Sequence, residues 1–174
     1  MTRGGTVTAT ERYREGGEKA DLELVMSAFA EDAVLISPLT DRLRFTGKDE
    51  IARIVAVAFT KIEGMRFHTD TGDEHTRALV YTGRINGVPI EESAVARLDD
   101  DGLIRELTLF VRPLPALVEL MGAFGPELAR RNDRPAAAKA LGALVKPLIG
   151  MVRSGDRFAL PLVMPRRRRA PGAG

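Results

Sequence analysis

The 174 residues contain no cysteine and no tryptophan, and only two histidines. The missing cysteine excludes disulfides, thiolate metal sites and cysteine nucleophiles. His68 and His75 lie seven positions apart and match no metal-ligand spacing, so neither a metal nor a cofactor is expected. No run approaches eighteen uninterrupted apolar residues, which predicts no transmembrane segment. Met1 to Gly17 lacks the apolar core of a secretory signal, and the expected compartment is the cytoplasm. Calcium is not expected at Asp99-Asp100-Asp101-Gly102, because the twelfth position of that run is not Glu; a turn fits better.

What is present is ordinary for a globular chain: 44% apolar and 29% charged residues. The charge is not evenly spread. Residues 130–174 carry eleven Lys and Arg against Asp133 and Asp156, a net of +9, which leaves −7 for residues 1–129. An acidic body lacks the basic face that phosphate neutralisation needs, so no nucleic-acid partner is expected.

Caps and apolar spacing predict a helix from about Thr8 to Glu18, weakened by Gly16-Gly17, and a second one capped by Asp21. Ala33-Val34-Leu35-Ile36 reads as a buried strand stopped by Ser37-Pro38. Thr46-Gly47-Lys48-Asp49 resembles a capping box, behind which Ile51, Ile54, Val55, Val57, Ala58 and Ile62 predict a third helix. From Met65 the period changes to two. Strands are predicted over Met65–Thr71, Thr76–Ile85, Val88–Leu98 and Leu103–Val111, with Asn86-Gly87 as a type I′ hairpin turn. Leu114–Arg131 reads as a helix, and Pro135–Met151 as a further one broken at Pro147. The pattern is α+β, a curved and mostly antiparallel sheet wrapped against helices. Three parts are expected: an α+β domain over 1–131, a C-terminal helical extension over 132–164, and a disordered basic tail over 165–174.

Ala20-Asp21-Leu22, Phe29-Ala30-Glu31-Asp32-Ala33-Val34-Leu35, Phe45-Thr46-Gly47, the Asn86-Gly87 hairpin, and Arg97 to Gly102 before Leu107 to Leu114 carry a resemblance over residues 8–131. The chain resembles the SnoaL-like branch of the nuclear transport factor 2-like superfamily, which includes ketosteroid isomerase, polyketide cyclases and limonene-epoxide hydrolase. The resemblance implies a cone-shaped cavity whose mouth admits a small apolar ligand. A steroid isomerase pairs a tyrosine with a protonated Asp and uses a second Asp as base. On this alignment Tyr13 takes the tyrosine position, while the base falls at Ser37 and the protonated acid at Ala94. The Asp-Arg-Asp water cluster of the hydrolase has no clear counterpart.

Carrying that register over, alternation puts Leu79, Tyr81, Gly83, Glu92, Ala94, Ala96, Leu107, Leu109 and Val111 on the cone side. Glu92 and Tyr13 are the catalytic candidates; Ser37, Leu79, Tyr81, Ala94, Leu107 and Leu109 are candidate ligand contacts. A carboxyl in apolar surroundings has a raised pKa and can exchange protons near neutrality. A one-residue slip would exchange Glu92 with Glu91. If Met65 and Phe67 face inward, Arg66, His68 and Asp70 face outward. The alternative makes His68 and Asp70 a general-base pair inside the cone. About 7 Å between them is long for a direct hydrogen bond, and an outer-face histidine at an interface is the preferred reading. Ser93, Val95, Arg97, Thr108, Phe110 and Arg112 would form an outer face of mixed character that suits a homodimer.

Two functions follow. One is a cofactor-free isomerase, cyclase or hydrolase acting on a hydrophobic carbonyl compound. The other is a non-catalytic ligand-binding or dimerisation module. The stretch Ala136–Met151 can be a lid, a dimer contact, or a helix on an anionic membrane helped by Arg166–Arg169; packing on the body is the preferred reading.

Overall fold

The computed structural model describes residues 7–163; the predicted basic tail over 165–174 lies outside them. Helix α1 (Ala9–Lys19) starts at a capping box: the Glu11 amide donates to Thr8 Oγ1 at 3.2 Å, and the Thr8 amide donates to Glu11 Oε2 at 2.7 Å. It ends at Ala20 in the left-handed region, and Asp21 Oδ1 caps the short α2 (Leu22–Met26). Gly16 and Gly17 weaken α1 as an isolated helix, yet both are buried. A Cβ on Gly16 would stand 2.7 Å from Val25 Cγ2 and 2.8 Å from the Val25 amide nitrogen. The same atom on Gly17 would meet Phe67 at 2.9 Å. The glycines are where α1 touches its neighbours.

Strand β1 (Phe29–Ile36) follows, then β2 (Arg44–Thr46) and helix α3 (Lys48–Lys61). The capping box expected at Thr46 is absent. Gly47 is the N-cap with φ 81° and no side-chain cap, while the Thr46 amide donates to Glu50 Oε2 at 2.8 Å. Thr46 is held instead by strand pairing opposite Val34. Strands β3 (Ile62–Gly72), β4 (Thr76–Ile85), β5 (Val88–Leu98) and β6 (Ile104–Arg112) form the meander that alternation predicts. The sheet order is β2-β1-β6-β5-β4-β3, antiparallel except where β1 runs beside β6.

Strand β3 departs from simple alternation. Phe67 faces Tyr81 but Thr69 faces Val80, so His68 is the extra residue of a bulge. Beyond it the faces exchange. Asp70, expected outward, sits opposite buried Leu79 and accepts from Arg14 Nη1 at 3.3 Å and Arg77 Nε at 2.7 Å. His68 stays exposed and meets Thr69 Oγ1 at 2.9 Å.

Helix α3 packs on the sheet and contributes to two apolar clusters, Ile51 and Val55 to one and Ile54 and Val57 to the other. One apolar cluster joins Val25, Phe29, Leu35, Ile51, Leu79 and Leu107. The other joins Ile54, Val57, Ile62, Tyr81, Ile85 and Ile90 with Ala116, Leu120 and Phe124 of α4 (Leu114–Arg131). Phe45 and Phe67 touch both clusters.

Helix α5 (Pro135–Ser154) packs on α4, with Ile149 and Val145 within 3.0 and 3.2 Å of where a Gly122 Cβ would be. The expected break at Pro147 does not occur. Pro147 removes the bond to the carbonyl of Ala143, but both residues are exposed, so water can satisfy that oxygen. A π-turn over Gly155–Ala159 and α6 (Leu160–Val163) continue the helical path.

Replacing Gly16 by Ala tests the tight α1–α2 contact. Overpacking against Val25 costs about 1–3 kcal/mol, which outweighs the ~1 kcal/mol of helix propensity gained. Tm should fall by several degrees, at about 2–4 °C per kcal/mol. A rise in Tm would show that the two helices have room to spare.

Candidate functional site

Between the two core clusters lies a cavity of about 110 Å³. Four layers wall it: Tyr13 and Gly17 of α1, Ile54, Val55 and Phe59 of α3, Tyr81, Glu92 and Leu109 of the sheet, and Leu120, Phe124 and Leu128 of α4. The segment between β1 and β2 adds Ser37, Pro38, Leu39 and Leu43. Almost all of this is hydrocarbon. The polar groups are the hydroxyls of Tyr13, Tyr81 and Ser37 and the carboxyl of Glu92.

The two tyrosines are held by their rings. Tyr13 meets Phe29 edge-on at 5.9 Å and Phe67 at 5.8 Å, and Phe67 meets Tyr81 at 5.2 Å. Such contacts fix both rings and leave the hydroxyls to point where the backbone aims them. Tyr81 and Glu92 stand directly opposite on β4 and β5, so their side chains share the inner face. The Tyr81 hydroxyl is near enough to the Glu92 carboxyl to favour its ionised form. Glu92 is only 5% exposed.

Burial dominates the electrostatics. Removal from water pushes the Glu92 carboxyl up to about 8, although the hydrogen bond from Tyr81 favours its ionised form and pulls the other way. Burial also raises the Tyr13 hydroxyl well above its ordinary value, with the charge of Glu92 adding to the rise. Tyr81 is raised for the same reasons, burial first. At neutral pH both tyrosines are therefore donors, and Glu92 is mostly a neutral acid that ionises within reach of physiological pH.

Of the candidate residues, Tyr13, Ser37, Tyr81, Glu92 and Leu109 line the cavity. Leu79, Ala94 and Leu107 do not; they are fully buried in the adjoining core cluster, Leu79 and Ala94 on the same ladder rung as Leu109, and Leu107 two residues away along β6. Ser37 is 9% exposed, and its Oγ accepts from the Leu39 amide at 3.2 Å, turning the chain after β1. His75 is exposed at the β3–β4 turn, away from the cavity. The wall supplied by α4 was not among the expected contacts. Its signal was the i, i+4, i+8 spacing of Leu120, Phe124 and Leu128, which marks one apolar face without saying what it covers.

The Glu92 environment has a direct consequence for stability. The folded protein holds a proton there that the unfolded chain releases near 4.5, so folding binds protons between about pH 4.5 and 8. Stability should accordingly fall as pH rises through that window, by up to roughly 1.4 kcal/mol per unit from this one group. Urea titrations from pH 5 to 8 should show that slope reduced in Glu92→Gln. Equal slopes in both proteins would place the Glu92 carboxyl in water.

A model of the SnoaL-like domain matches residues 10–107, more than half of the chain, ending within β6. No curated protein sequence matches. Among solved structures, the chain is similar to an uncharacterized bacterial protein with a cystatin-like fold from Silicibacter pomeroyi, at 21% identity and a TM-score of 0.68, covering 77% of this chain and 96% of that one. It is also similar to a steroid delta-isomerase from Pseudomonas aeruginosa, at 22% identity and a TM-score of 0.65, covering 72% and 92%. A protein with a ketosteroid isomerase-like fold from Catenulispora acidiphila, in complex with trimethylamine, matches at 16% identity and a TM-score of 0.52, covering 66% and 92%. At these identities the likeness is one of fold. With the helices, the six-stranded curved sheet and the matched segment together, the chain belongs to the SnoaL-like domain family of the nuclear transport factor 2-like fold.

Proposed function

We propose that the cavity binds a small, uncharged, apolar carbonyl compound and moves a proton on it without a cofactor. The observation that carries this reading is Glu92: a buried carboxyl, pushed up to about 8, facing an apolar cavity beside two tyrosine hydroxyls. Structural carboxylates in a core are generally paired with a cation, and among the described residues no cation is a cause of the Glu92 shift. A perturbed group in a cleft is the usual mark of acid–base chemistry.

The chemistry is proton abstraction next to the carbonyl. Ionised Glu92 takes a proton from carbon, and the electron pair left behind moves onto the carbonyl oxygen. Tyr13 donates to that oxygen as its charge develops, while Tyr81 keeps the carboxylate aimed. Where the compound carries a β,γ double bond the intermediate is a dienolate, and return of the proton from Glu92 to the γ carbon gives the conjugated isomer, with no net change of atoms or electrons. Bound apolar surface excludes water and keeps the enolate from being quenched. The likeness to a steroid delta-isomerase lends support at the level of fold.

A second reading has its own observation. The two isomerase carboxylate positions are occupied by Ser37, whose hydroxyl is used in a turn, and by Ala94, which is buried in the core. That favours a protein that binds an apolar compound and leaves it unchanged.

Thermal unfolding against a panel of steroids, terpenoids and aromatic ketones identifies a ligand, because a compound at 100 times its Kd adds about 2.7 kcal/mol. Turnover of the hit should then rise with pH towards a plateau above about 8, where Glu92 is ionised. Glu92→Gln should lower kcat by about 10²–10⁴ while the thermal shift persists. Recovery of the ligand unaltered after long incubation would establish the binding-only reading, and unchanged kcat in Glu92→Gln would remove that residue from the chemistry.

A further inference from the structure

Helix α5 presents three stripes. One packs on α4 through buried Ala138 and Val145, with Ile149 against Gly122. It is fastened by Arg153, whose guanidinium lies 2.6 Å from buried Glu119 of α4; that carboxylate also accepts from Asn86 Nδ2 at 2.8 Å. On one flank of this packed stripe, Lys139 and Lys146 are exposed and seven residues apart. On the other flank, Leu141, Leu144, Leu148 and Met151 follow a 3-4-3 spacing, with Leu144 73% and Met151 65% exposed. Beyond α5, Phe158, Leu162 and Val163 are exposed as well, and the Arg157 guanidinium stands 5.3 Å over the Phe158 ring.

This much hydrocarbon in water on a single helical path marks a docking surface. Two further facts identify what it meets. From Arg134 to Gly155 there is not one acidic residue, and residues 134–163 carry Arg134, Lys139, Lys146, Arg153 and Arg157 against Asp156 alone. The sequence then continues through Arg166 to Arg169 within the eleven residues that follow Val163. The exposed surface is therefore apolar on one flank and cationic on the other. A second copy of the chain would bring the same positive charge to the contact. An anionic bilayer offers the opposite charge at the headgroups and hydrocarbon beneath them.

We infer that the solvent side of α5, with the turns over residues 155–163, lies on an anionic lipid surface. Leu141, Leu144, Met151, Phe158 and Leu162 enter the acyl boundary, and Lys139, Lys146 and Arg157 reach the phosphates. The helical run Pro135–Val163 is long enough to cross a bilayer, and its most apolar 18-residue window has a mean hydropathy of 1.3. The packing of α5 on α4 and the Arg153–Glu119 pair argue for lying flat, since crossing would strip both away. The acidic body, at −7 over residues 1–129, would face away from the membrane. None of this depends on the chemistry in the cavity.

Co-sedimentation of the full chain with vesicles tests it, using phosphatidylcholine with and without phosphatidylserine. Binding should require phosphatidylserine and weaken with added salt. Lys139→Ala and Lys146→Ala should each weaken it about fivefold. Leu144→Ser combined with Phe158→Ser should weaken it by about tenfold or more, while the thermal melt stays unchanged because both side chains are exposed. No binding to either vesicle, equal binding to both, or indifference to the Leu144/Phe158 substitutions overturns the proposal. Self-association in sedimentation velocity that the same double substitution abolishes, without vesicle binding, would show instead that a second copy covers the face.

Discussion

Everything at the cavity depends on one constraint, the pairing register of β4 with β5. The turn between them is two residues long, and both Asn86 (φ 48°) and Gly87 (φ 77°) take the left-handed conformation that matches the twist of the flanking strands. With that turn closed, Ile85 must face Val88, and counting back along the ladder puts Tyr81 opposite Glu92. The register is not interchangeable with its neighbour. A shift by one residue would turn Glu91 inward and expose Glu92. The outer face guards against this, because Glu91 stands opposite Arg112 and accepts from its guanidinium at 2.9 Å. Two adjacent glutamates thus live in opposite worlds: one in solvent with a cation, one in hydrocarbon with a phenol.

The phenol matters because it limits what burial can do. Without a donor, a carboxyl in such a place stays neutral far above physiological pH, and it neither takes a proton nor gives one readily. Tyr81 favours the ionised form and brings the group back towards neutrality. The cost is carried by packing. The Tyr13–Phe67–Tyr81 row locks the two phenols, and Phe67 reaches its place only because β3 bulges next to it at His68. The same bulge brings Asp70 inward under Arg14 of α1, so one irregularity fixes both the aromatic row and the seat of the helix that delivers Tyr13.

Much of this was legible in the sequence because it rests on local signals. The period-two strands, the Asn86-Gly87 turn and the limits of α4 follow from alternation, turn chemistry and spacing, and the inward side of β4 and β5 follows from the resemblance once the turn is placed. What was not legible rests on contacts between distant segments. Gly16 and Gly17 read as weak points in a helix, and only the approach of Val25 and Phe67 explains them. The edge strand β2 has three residues and no alternation to detect. The bulge at His68 leaves no mark in Met65–Thr71, whose pattern alternates without interruption until Asp70 is found on the wrong face. Leu79, Ala94 and Leu107 point inward as expected, but direction alone does not say whether an inward residue meets a cavity or a packed core. That depends on how far α3 and α4 reach over the sheet, which is set by side chains from four elements at once.

Helix α4 stands between the cavity and α5. On one side its Leu120, Phe124 and Leu128 wall the cavity. On the other, Gly122 and Glu119 receive α5. The glycine lets the helices approach closely, and the buried carboxylate ties α5 and the β4–β5 hairpin to the same point through Arg153 and Asn86. This backing lies beyond the residues that the family model matches, which end within β6. It gives the cavity wall a rigid outer layer where water would otherwise stand. A shift of α5 would therefore be met first by α4, whose opposite face closes the cavity. The charge division of the chain falls at the same place: the net acidic stretch 1–129 lines the pocket, the net basic stretch 130–174 follows it, and α4 spans the boundary.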